Sequence, residues 1–400
     1  MRMVGGDNTR LVTLLAVSIA VLLLPVRSAR SASISMPTLP EWMHDEFVDE
    51  LGFDEAETRL ARLAYDRFVE HHEDAIRAYT VRWDWITAMS EYRFGASDDE
   101  LSASMTEAYF VSEPAMHRAV ERAQARYFDT LAEIDGGRTD RIASLERRWL
   151  RWWLLRSPYL PHDAVAGAKI DLINVLDQLK IDPEEDPSLE QLVSAYEREA
   201  DDILQQLRSA MISGRSESRA LRIEVRPALE RGDKQTALKN LKEAFDLEFE
   251  KYTLLDEMRA LNVEFARRIS TVLPWRLRFG FHARVRPRLF TYLFDVGSST
   301  PDQILARAAR SVEDSDEEAV HALLVFAEDY DGQFLELVAG VDHLYMDLHG
   351  GELREQRRLR DVLVGLELPV YGDAPNEPAH AYERRLAEAL EVIDTMTERA

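Results

Sequence analysis

The sequence predicts an all-α fold, an elongated bundle of antiparallel helical hairpins, on three observations. Apolar residues recur at spacings of three and four along several long segments, which is the signature of a helix with one buried stripe. Gly and Pro number only 17 and 15 in 400 residues, and the breaks between those segments carry Pro or Gly with polar neighbours. Hydrophobic residues make up 46% and charged residues 30%, enough apolar side chain for a core and enough charge for long solvated helix faces.

Residues 1–33 have the pattern of an export signal. Arg2 and Arg10 precede the apolar run LVTLLAVSIAVLLLPV, and small residues follow in VRSARSAS. Pro25 breaks the end of a run that is short for a membrane span, so removal of the segment is the favoured expectation. The competing one is an anchor retained at residues 11–26. The chain has no cysteine, so neither a lipid-modified cysteine nor a disulfide framework is available, and an exported form must rely on its core.

The periodicity then predicts a helix through Met116, Val120, Ala123, Tyr127, Leu131 and Ile134, closed by Gly136-Gly137. A second runs through Leu189, Leu192, Tyr196, Ala200, Ile203 and Leu207. Asp233 is placed to cap a third, over about 234–272, whose apolar residues include Leu241, Phe245, Tyr252, Leu255, Phe265 and Ile269. A fourth carries Leu323, Ala327, Tyr330, Phe334, Leu337, Val341, Leu344 and Leu348, and a last covers 379–397. WRLRFGF (275–281) alternates as a strand would, yet it follows Leu273-Pro274, a helix-start signal. The breaks at 156–163, 181–188, 295–302 and 368–378 divide the chain into units expected at 34–165, 166–300 and 301–400.

Acidic and basic helices alternate along this plan. LERRWLRWWLLR (145–156) holds three tryptophans and four arginines in twelve positions, within a chain of net charge −24. On a helical wheel Ile142, Leu145, Trp149, Trp152 and Trp153 share one side, Arg147, Arg148 and Arg151 the other, and Leu150 and Leu154 add a second apolar strip. A membrane-surface helix keeps its far side polar, so this one is expected to be sandwiched, with Trp149 and Trp153 buried and Arg147 and Arg151 meeting acids. Similar islands follow at 275–290 and 353–363. Acidic-headed helices around Phe68, Tyr196 and Tyr330 complete two to three degenerate repeats. Trp and Arg dominate binding hot spots, so Trp275, Arg276, Arg278, Phe279, Arg284, Arg286 and Arg288, with Trp149, Trp152 and Trp153, are the candidates for contact with a partner. The 275–290 island is expected to be the more exposed, with Pro287 ending its helix.

The openings LGFDEAE and LKIDPEE of two acidic helices resemble the exported all-helical proteins of the LTxxQ type, which include periplasmic stress chaperones and metal-stress sensors. Neither opening has the Thr or Gln of that motif in place, and the likeness spans the two lead helices only. The resemblance implies a helical surface that holds other proteins.

Ligation offers a rival. Glu318 and His321 have the i, i+3 spacing of helical di-metal sites, and His71 with His72 lies in the acidic VEHHED. DSDEEA (314–319) lacks the Gly of a calcium loop and reads as an acidic first turn. No nucleophile elbow, phosphate loop or zinc-protease motif occurs, so the expected function is non-enzymatic and cofactor-free. It is the binding of a protein partner or unfolded client, in the periplasm or outside the cell. The alternatives are a metal-binding helical protein or metal-dependent enzyme, and an envelope structural protein held by its N-terminus. The excess of 73 Asp and Glu over 49 Lys and Arg repels phosphate backbones, which argues against nucleic acid.

Overall fold

A computed structural model describes residues 38–92, 108–137, 139–156, 165–294, 300–313, 315–350 and 377–399. Among these the chain is helical, with no strand. The helices are α1 (Glu41–Leu51), α2 (Glu55–Tyr92), α3 (Glu113–Ile134), α4 (Thr139–Arg156), α5 (Leu172–Gln178), α6 (Pro187–Ser209), α7 (Arg215–Glu230), α8 (Lys234–Val272), α9 (Trp275–Leu289), α10 (Pro301–Ser311), α11 (Glu317–His349) and α12 (Glu377–Arg399). The apolar run at 11–26, the basic island at 353–363 and the expected breaks at 157–163 and 368–376 lie outside the described residues. No helix among the described residues is long and apolar enough to cross a membrane.

The chain forms two compact units, one built on Leu63–Tyr127, the other on Leu39–Arg62 with Phe128–Ala400. This division cuts inside the stretch 34–165 and keeps 166–300 and 301–400 together. In the smaller unit the heptad-spaced Tyr65, Tyr79 and Ile86 of α2 are buried, with Phe68 beside them. Tyr65 and Phe68 meet Tyr127 of α3 at ring separations of 6.3 and 5.5 Å. A buried carboxylate needs a donor, and Glu113 receives one from the Tyr79 hydroxyl at 3.2 Å.

The larger unit is organised on α8. Asp233 caps its first turn by accepting from the Thr236 N–H, and 39 residues then follow without a break. Ahead of it, α6 continues through a π-helical turn at Ala210–Gly214 into α7, and the tight turn at Gly232 sends α8 back along both. Val225 and Ala228 of α7 close over Ala237, Leu241 and Phe245, while Tyr196 of α6 packs on Phe265 at 5.6 Å. Each large side chain fully buried in this way is worth roughly 2–3 kcal/mol of transfer free energy.

The tryptophan-rich α4 lies against α6 with the sandwiched geometry its wheel requires. Trp149 and Trp153 are 2% and 3% exposed and stack on one another at 5.9 Å. Arg151, also buried, reaches Glu197 at 2.8 Å and Asp201 at 3.2 Å, and Arg147 meets Asp201 at 3.1 Å. Burial alone would lower the Arg151 pKa, but Asp171, Glu197 and Asp201 outweigh it and hold the guanidinium charged.

Between α4 and α5 the segment Val165–Asp171 runs through the interior, which obliges side chains to satisfy its backbone. Asn262 donates to the carbonyls of Gly167 (2.8 Å) and Ile170 (3.1 Å). Arg259 donates to Ala166 O, the Tyr345 hydroxyl accepts from Ala166 N–H, and the Tyr196 hydroxyl accepts from Leu172 N–H and donates to Asn262. Gly167 has φ +88°, and a Cβ there would lie 3.1 Å from the Leu289 Cα, so only glycine fits. Asp171 ends the segment by capping α5 at Ile173 and Asn174.

A candidate binding cleft between three helices

Two sequence expectations need correction once α9 is placed. Pro274 starts this helix as expected, but Pro287 does not end it: the helix continues to Leu289, and the Phe290 N–H returns to Arg286 O. A proline in the last turn costs one hydrogen bond and leaves the packed end in place. The island is also not an exposed surface, because α9 is wedged among α5, α8, α10 and α11. Phe279 is 4% exposed and Arg286 8%, which removes both from any outer face. Trp149 and Trp153 are withdrawn in the same way.

The remaining candidates separate by their partners. Arg276 caps the C-terminal end of α10, donating to Ala309 O and to Val312 O, so its charge complements that helix's dipole. Arg284 is exposed and donates to Gln178 at 3.1 Å. Trp275 is half-buried, stacked edge-on against Phe279 and covered by the Arg276 guanidinium. Trp152 and Arg288 line a polar cavity of about 730 Å³ together with Trp42, Arg148, Asp171 and Asp177. Burial pushes the Asp171 and Asp177 carboxyls up, while Arg151 and Arg148 pull them back. Acids and bases there balance one another.

Arg278 alone of these residues faces a cleft of a different kind. Its volume is about 700 Å³, and its walls are α8, α9 and α11. Val263, Phe281, Val285, Phe334, Leu335 and Val338 supply most of the lining. The charges at its floor are tied in pairs. Arg259 grips Asp342 through both guanidinium nitrogens, and Tyr292 adds its hydroxyl to the same carboxylate. Arg286 donates to Asp331 at 2.7 Å and to Asp302 at 3.0 Å, and the Tyr330 hydroxyl holds the second oxygen of Asp302 at 2.8 Å. Asp302 sits in the first turn of α10, which opens with a Thr300–Gln303 capping box. Burial raises the Asp302 carboxyl above the ordinary range, countered mainly by Arg286, which itself stays charged.

His282 lies beside this pair, its Nδ1 3.8 Å from Asp331. Burial first, then the nearby Arg286 and Arg278, depress its pKa well below the ordinary 6.5, so the folded imidazole is neutral at pH 7. Among the described residues, the charged groups that act on it are Asp331 from α11 and Arg278 and Arg286 from its own helix, while Glu264 and Arg267 of α8 line the same cleft. Below pH 6.5 the unfolded chain takes up a proton that the folded chain refuses, so this stability is full above 6.5 and declines as the pH falls towards the depressed value. Denaturant titrations at pH 7 and 5.5 should show the native chain losing about 1 kcal/mol more than a His282→Gln variant.

The metal candidates do not converge. His71, Glu318 and His321 are exposed and His72 is buried on the α2 seam. No group of three or more His, Asp or Glu among the described residues is placed to hold an ion. Asp316 caps α11 by accepting from Ala319 N–H, with Glu317 and Glu318 in the first turn, which accounts for the acidic run there. The floor residues Arg259, Asp302, Asp331 and Asp342, and Asn262 behind them on α8, are not among the sequence candidates. Arg259 and Asn262 did carry a signal, as polar residues in line with Leu255, Phe265 and Ile269 on the apolar stripe of α8.

Comparison of the chain with protein-family models, with curated proteins and with solved structures yields no match.

Proposed function

We propose that this chain is a non-enzymatic binding protein, exported after loss of its first 33 or so residues, that holds an apolar-bodied ligand in the cleft between α8, α9 and α11. The observation that carries the reading is the cleft itself. Its volume of about 700 Å³ falls in the range of small-molecule sites, its walls are apolar, and the few polar groups on its floor are locked by ion pairs. Such fixed pairs shape a site without offering a nucleophile or an acid–base couple, since Asp302, Asp331 and Asp342 are all engaged by arginine. The export pattern of residues 1–33 supports a setting outside the cytoplasm. A second reading, capture of apolar segments of unfolded clients, is favoured by Leu324, Val325 and Leu335, which are exposed along α11.

The test is titration with the uncharged fluorophore Nile red. One saturable site per chain is expected, weakened at least about tenfold by Ala339→Trp, which fills the cleft from its exposed rim without touching the floor. Absence of saturable binding overturns the proposal. If the same variant loses protection of an aggregating client while still binding the dye, the second reading replaces it.

A further inference from the structure

The paired charges on the floor leave two arginines over. Among the described residues, neither Arg267 of α8 nor Arg278 of α9 has a carboxylate within ion-pair distance. Glu264, the acid nearest in sequence to Arg267, is engaged by Arg268 at 3.3 Å. In a chain with 73 Asp and Glu against 49 Lys and Arg, two cleft-lining arginines without acids run against the overall balance. Arg278 is the more constrained of the two. Among the described residues its Nε is buried without an acceptor, and one terminal nitrogen reaches Leu273 O at 3.4 Å. Burying a donor unpaired is costly, and a ligand that supplies an acceptor removes the cost. Both residues belong to the end of the cleft where α8 turns into α9 through Leu273-Pro274, together with Ser270 and Thr271.

We propose that the cleft binds a single-chain amphiphilic acid of the fatty-acid type, whose carboxylate meets Arg278 and Arg267 while its hydrocarbon tail runs along Val263, Val285, Phe334 and Val338. The proposal rests on the binding function given above and names its ligand class. Guanidinium is matched to carboxylate by its planar fork of donors, and a tail leaves water along walls that are already apolar. A positively charged or uncharged head of the same chain length gains only the second contribution. The surrounding acidic surface also repels anions that lack a tail to bury.

The experiment is calorimetric titration of the full chain with dodecanoate, dodecanol and dodecyltrimethylammonium. Dodecanoate should bind at least about tenfold tighter than dodecanol, with the ammonium weakest. In an Arg267→Gln/Arg278→Gln variant the advantage of the carboxylate should vanish while dodecanol binding is unchanged. Equal affinity of the native chain for acid and alcohol, or preference for the ammonium, overturns the assignment of an acid and leaves the apolar cleft standing. Failure of all three, together with Nile red, overturns both. The comparison among ligands on the native chain needs no variant to fold.

Discussion

Replacing Arg286 by Met should destabilise the larger unit by about 3–5 kcal/mol, measured by denaturant unfolding at pH 7. The size of the effect comes from Asp302 rather than from the lost arginine. Its carboxylate is 2% exposed, and without Arg286 only the Tyr330 hydroxyl remains on it. Asp331 is the lesser problem, because about a third of its side chain stays in water. An Arg286→Met/Asp302→Asn variant should therefore recover at least half of the loss, since the amide still accepts from Tyr330 but carries no charge. Equal instability of the single and double variants would show that loss of the guanidinium from the face of the Phe334 ring, rather than the stranded Asp302 charge, sets the cost.

The second large effect is expected at Asn262. Asn262→Leu strands the carbonyl of Gly167, takes the nearer donor from Ile170 O and leaves the Tyr196 hydroxyl only its longer bond to Ile170 O at 3.4 Å, at roughly 1–3 kcal/mol for each buried group left poorly paired. A total of about 3–5 kcal/mol is expected. Tyr196→Phe, which takes away the partner of the Leu172 N–H and of the Asn262 side-chain oxygen, should cost about 1–3 kcal/mol. Because the two residues share a bond, the double variant should be less destabilised than the sum of the singles. Additive losses would show that Asn262 acts without Tyr196.

Much of the fold was legible because helices write their burial into a local period. The stripes around Tyr127, Tyr196, Phe265 and Tyr330 mark helices that exist, and Asp233 and Pro274 mark where two of them start. The strip of Leu150 and Leu154 opposite Trp149 signalled that α4 is covered on two sides, and its arginines do meet the acids of α6. The site was much less legible. A wheel reports which residues share a face but not which helix covers that face, and α9 illustrates the difference. Five arginines without an acid looked like a surface, yet Arg286 is buried because Asp302 and Asp331, from α10 and α11, come to it through tertiary packing. The cleft arises from three helices far apart in the chain, so no local pattern encodes its volume. The in-register Arg259 and Asn262 were the trace available beforehand.

The locking of Val165–Asp171 also imposes an order of events in time. Its amide at Ala166 waits for the hydroxyl of Tyr345, 179 residues further on, and its carbonyls wait for Arg259 and Asn262, more than 90 residues on. At ordinary synthesis rates the chain spends roughly ten to thirty seconds between producing Ala166 and producing Tyr345. Contacts of such sequence separation form late and slowly in refolding as well. Throughout that interval the segment that is later buried inside the larger unit is an open strip of backbone, accessible to proteases and to pairing with other chains.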